Sequence, residues 1–118
     1  MFDESHHIGK YKDEYGEYDL YYDVAKYDCN DRIALDINCA DNGSYARATV
    51  NLTDVDIWFI ISNISFEETL NADDYAFING DLTEDFKAWL REKNIISDPI
   101  ATVKYNFGQY ELCKILVK

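Results

Sequence analysis

Proline, glycine and positive charge are all scarce in this chain. One Pro and five Gly among 118 residues leave little material for linkers or disordered tracts. Bases number 11 against 23 acids, a formal net charge of −12. A surface this acidic repels nucleic acid, so direct DNA or RNA binding is not expected. No apolar run approaches the roughly 18 residues of a membrane span. The longest, IWFII at 57–61, has the length of a buried strand. The opening MFDESHHIGK holds no apolar signal core, and the expectation is a cytoplasmic protein.

Cysteine and histidine are equally sparse. Cys29, Cys39 and Cys113 are odd in number, far apart and without a C-x-x-C pair, which fits reduced thiols rather than a disulfide framework. The only histidines, His6 and His7, are adjacent, and nothing downstream adds a third ligand at metal spacing. No G-x-S-x-G, G-x-x-x-x-G-K-[ST] or H-E-x-x-H occurs. The segment DYAFINGDLTED fails as an EF-hand loop, because Ala76 and Ile78 stand where oxygen ligands are required. A domain of this size rarely encloses the sugar cleft that paired-carboxylate glycoside hydrolysis needs. The residues therefore predict no catalytic group, no metal and no cofactor.

Apolar and aromatic residues are present in quantity. At 47% hydrophobic and 15% aromatic, the chain can build a packed core, and its length fits a single domain over residues 1–118. Residues 1–12 read as a loosely ordered N-terminal tail. Alternation predicts strands at EYDLYYDVAKYD (17–28), RIALDINCA (32–40) and YARATVNL (45–52), the last two joined by an Asn-Gly turn. Together they form a three-stranded antiparallel meander. DIWFIISNI (56–64) is apolar on both faces and reads as a strand because Ile and aromatics predominate, with a short helix as the alternative. YAFIN (75–79) is a short strand. One principal helix is predicted near residues 83–93, with Thr83 as its cap and an apolar stripe of Leu82, Phe86, Trp89 and Leu90. Trp89 is expected to be largely buried. Two strands around Phe107-Gly108-Gln109 close the chain. The class is α+β: an antiparallel sheet, meander plus C-terminal hairpin, with a helix packed on it.

The acids are unevenly spread. Residues 57–86 hold seven acids and no base, whereas residues 87–118 are net +3. FEETLNADDYAFINGDLTED (66–85) contains all seven, threaded between apolar residues, with Phe77 and Ile78 anchoring it to the core. A charge of −12 exceeds what solubility requires of a small domain, a magnitude of about 2–8. Carboxylates at suitable spacing can stand in for phosphates before a protein that binds nucleic acid. The ten Tyr suit an interface, and EYGEYDLYYD (14–23) alternates acid and Tyr. The candidate partner-binding residues are Glu67, Glu68, Asp73, Asp74 and Asp81, with Glu14, Tyr15, Glu17, Tyr18 and Asp19. The loop 66–74 is the first choice of contact.

RIALDINCADNGSYARATVNL and YAFINGDLTEDFKAWLREKNI together resemble a family of small bacterial proteins, domain of unknown function family 4313. The resemblance spans roughly residues 17–118, with WFIISNISFEE as an insertion. It implies cargo of phages, plasmids and conjugative elements, and it brings no catalytic residues. Charge and resemblance together predict a non-enzymatic inhibitor. It would bind a basic nucleic-acid-binding defence protein, a CRISPR effector or restriction enzyme, as a nucleic-acid mimic. The alternatives are an immunity protein neutralising a basic nuclease toxin and a housekeeping adaptor.

Overall fold

A computed structural model describes residues 4–40, 43–64, 71–106 and 108–117. The fold is α+β, with two four-stranded antiparallel sheets and two helices. The first sheet is a meander in the order β1 (His7–Asp13), β2 (Gly16–Lys26), β3 (Ile33–Cys39) and β4 (Gly43–Arg47). The second has the order β5 (Thr49–Val50), β6 (Tyr75–Ile78), β8 (Gly108–Lys114) and β7 (Ala101–Tyr105).

Five expectations change. The predicted tail is a strand from His7 onward: β1 pairs with β2, Tyr11 facing Tyr18, and Ile8 and Tyr11 pack on the core. A bulge at Gly9, with φ at +143°, lets this edge strand pass the Trp89 and Lys93 side chains.

The predicted strand 45–52 is two strands in two sheets. It breaks at Ala48, where the backbone exchanges partners. Its N–H donates to the Leu35 carbonyl of β3 at 2.8 Å, and its carbonyl accepts from Asn79 N–H, just after β6, at 2.8 Å. Thr49 completes the crossing, its hydroxyl accepting from the Leu35 N–H at 3.0 Å. Both crossing residues are fully buried.

The segment read as a strand at 56–64 is a helix, α1 (Ile57–Ile64). The Asp56 carboxylate caps it, accepting from Phe59 N–H at 3.3 Å. Ile57 and Ile61, four apart, are buried on one face, while Trp58 and Phe59 are exposed. A short run apolar on every side does not separate strand from helix by periodicity. Here the cap and the i, i+4 pair decide. Arg32 fixes the approach to α1 by donating to the carbonyls of Leu52 and Val55.

The principal helix lies where expected, as α2 (Glu84–Glu92). The Thr83 hydroxyl accepts from Phe86 N–H at 3.1 Å. At the far end Asn94 has φ +60°, Ile95 N–H donates to Leu90 O, and Asn94 N–H donates to Arg91 O, a Schellman stop. Phe86 and Leu90 are buried, but Trp89 is only partly so, leaning on Tyr11 and Phe86 at the edge of the core. The closing hairpin is tighter than expected: Tyr105 pairs with Gly108, so Gly108 and Gln109 belong to β8. One core cluster joins Leu20, Leu35 and Ile37 of the first sheet to Ile78 and Cys113 of the second and to Leu90 of α2. Phe77, 1% exposed, anchors a second cluster under α1.

Two stability outcomes follow. Phe86→Ala should cost about 3–5 kcal/mol in chemical denaturation, and Trp89→Ala clearly less, because part of its ring is already in water. Thr49→Val keeps the shape but leaves the buried Leu35 N–H without an acceptor, and should cost about 1–3 kcal/mol.

Candidate functional site

The β1–β2 turn is made by Asp13. Its carboxylate accepts from Tyr15 N–H at 2.8 Å and from Gly16 N–H at 3.1 Å, while Gly16 takes φ +150°. Glu14 and Tyr15 are left at the tip, exposed. Just inside the turn, Tyr11 and Tyr18 are opposite each other across the strands.

A bulge in β4 brings a third tyrosine. Ile37 pairs with Ala46 and Asn38 with Ser44, so Tyr45 is the extra residue. Bulges re-aim side chains, and here the Tyr45 hydroxyl reaches back to donate to Asp13 at 2.7 Å. The rings of Tyr11, Tyr45 and Phe86 meet at centroid distances of 4.9 to 6.4 Å, tying the turn to α2.

These groups line an open cavity of about 450 Å³. Tyr11, Tyr18, Tyr45, Leu82, Thr83 and Phe86 are among the residues that line it. Asp13, Glu14 and Asp81 contribute three carboxylates, and among the described residues none that lines it is basic. The Tyr45 hydroxyl, helped by the two turn N–H groups, holds the Asp13 carboxyl below the usual carboxylate range. Burial, and then the Asp13 carboxylate, push the Tyr45 phenol above its ordinary value. At neutral pH Asp13 is therefore charged and Tyr45 is protonated.

The sequence candidates divide. Glu14, Tyr15, Tyr18 and Asp81 converge on this cavity. Glu17 is exposed on β2 opposite Lys12, and Asp19 pairs with His7. Asp73 and Asp74 form a 3-10 turn capped by Asn71, and line a separate cavity of about 350 Å³ with Val24, Lys26 and Ile115. Glu67 and Glu68, with most of the loop first chosen as the contact, lie outside the described residues. The described acids of 66–85 do not share one cavity, since Asp73 and Asp74 line one and Asp81 another. Glu84 is paired: with Glu111 it brackets the buried Lys87 ammonium at 2.8 and 3.0 Å. Burial alone would lower the Lys87 pKa, but the two carboxylates outweigh it and raise it.

Sequence reasoning did not single out Tyr11, Asp13, Tyr45 and Phe86 as site residues. Tyr11 fell in the supposed tail and Tyr45 in an apparently regular strand. The one available signal was Asp13 three residues before Gly16, an Asx-turn pattern. Among the described residues, no group of three or more His, Cys, Asp or Glu is placed to hold a metal ion. No described helix is long and apolar enough to cross a membrane. Compared with protein-family models, curated proteins and solved structures, the chain has no match.

The Asp13–Tyr45 bond has a measurable signature. The depressed Asp13 pKa contributes stability that is complete above the ordinary carboxylate value and is lost as pH falls through the lower folded value. Tyr45→Phe should raise the Asp13 pKa toward normal in a carboxyl-carbon NMR titration, removing that acid-side dependence. An unmoved value would show that the two turn N–H groups suffice.

Proposed function

We propose that the protein is a non-enzymatic inhibitor that occupies the nucleic-acid-binding surface of a basic bacterial defence protein, a CRISPR effector or restriction enzyme, and acts in the cytoplasm. The observation that carries this reading is the convergence of Glu14, Tyr15, Tyr18 and Asp81 with Asp13 around one cavity that no described base lines, in a chain of net charge −12. The turn presents carboxylates beside tyrosine rings, much as a nucleic-acid strand presents phosphates beside bases. A groove evolved for phosphate and stacked bases meets both features.

Charges of this kind act collectively and through solvent. Binding should weaken steeply as salt rises from about 0.05 to 0.3 M, over which the Debye length falls below about 10 Å. Labelled DNA or RNA on the purified effector should be displaced as the protein is titrated in. Charge reversal at Glu14, Glu17 and Asp81 should abolish displacement with the fold intact, while Lys114→Glu should change little. Simultaneous binding of protein and nucleic acid without mutual loss of affinity would refute the mimic reading.

A further inference from the structure

We propose that the cavity between the β1–β2 turn and the start of α2 is an arginine pocket, receiving the guanidinium of an arginine side chain from the basic partner. The proposal rests on the inhibitor reading and deepens it to one site and one chemical group.

The walls suit a cation. Tyr11–Phe86, Tyr18–Tyr45 and Tyr45–Phe86 have centroids 4.9, 5.2 and 5.4 Å apart, with planes inclined at 65°, 51° and 54°. The rings pack directly on one another, so they form one continuous aromatic surface along the cavity, to which the three tyrosines, all partly exposed, contribute, and ring faces attract cations. The charge has the matching sign. Asp13 is ionised, and its hydrogen bonds to Tyr45, Tyr15 and Gly16 hold it in place without neutralising it. Glu14 and Asp81 are exposed at the rim, and neither is in an ion pair with a described residue.

The combination of rings and carboxylates selects among cations. A guanidinium stacks flat on an aromatic face, donates a fork of N–H groups to carboxylates and is weakly hydrated. An ammonium is compact and strongly hydrated, and a quaternary ammonium has no hydrogen to offer Glu14 or Asp81. About 450 Å³ exceeds a bare guanidinium, leaving room for the aliphatic stem against Ala46 and Leu82. Free arginine fits less well than a protein side chain, because its zwitterionic α-ammonium and α-carboxylate head must be desolvated at the rim, a cost that a neutral backbone amide avoids.

The probe is N-acetyl-L-arginine N-methylamide, titrated into the isotope-labelled protein and followed by NMR. Ring resonances of Tyr11, Tyr18, Tyr45 and Phe86 should shift saturably, with a dissociation constant on the order of 1 mM. The matching lysine amide, tetramethylammonium and free L-arginine should each bind at least about threefold more weakly. Glu14→Gln with Asp81→Asn, both at exposed positions, should weaken the arginine amide about tenfold with circular dichroism unchanged. Three results would overturn the assignment: no saturation, tetramethylammonium binding equally well, or indifference to the double substitution. Tighter binding of free arginine than of its blocked amide would overturn the assignment to a partner side chain. The probe is a small molecule, so a failed titration removes the pocket alone. The inhibitor reading fails separately, in the competition with nucleic acid.

Discussion

The fold depends on one backbone crossing. At Ala48 the chain leaves the first sheet and enters the second, and its two peptide groups serve one sheet each. The position is fully buried, so an unpaired N–H or carbonyl there would carry the full desolvation cost. Thr49 matters for the same reason: its hydroxyl supplies the acceptor that the departing strand no longer gives Leu35, and Tyr27 lies within hydrogen-bonding distance of both its oxygens. From this corner the two sheets are held on a shared core that α2 also covers.

The candidate site is a consequence of a second irregularity. A regular β4 would pair Tyr45 within the ladder; as the bulged residue it spans to Asp13 instead. That bond fixes the turn, keeps its carboxylate ionised and sets the tyrosine ring against Phe86 of α2. Three strands of the first sheet and the start of a helix thus meet at one place, and charge and aromatic surface meet with them. Elsewhere several of the described acids have structural partners. Glu84 and Glu111 bracket Lys87, Asp36 pairs with Arg47, and Asp54 accepts from the Tyr105 hydroxyl. Net charge alone would not have separated these structural acids from the ones at the cavity rim.

What the sequence determined by itself were the elements whose signals are local. Helix α2 was legible because a cap, a first-turn acid pair, an apolar stripe and a stop residue all fall within a dozen positions. Strands β2, β3 and β6, the closing hairpin and the α+β class were legible from alternation, and Glu14, Tyr15 and Tyr18 from the acid–tyrosine pattern. Tertiary structure decided the rest, because the deciding partners are distant in sequence. Alternation runs unbroken through Ala46, Ala48 and Val50, and only the positions of Leu35 and Asn79 break the strand there. An edge strand such as β1 gains its order from β2 and Trp89, not from its own composition. The IWFII run carries equal apolar weight on every side, so the surface that buries Ile57 and Ile61 chooses helix over strand. The joining of Asp13, Tyr45, Asp81 and Phe86 into one cavity spans more than seventy residues. No local pattern encodes a contact that long-range packing must create.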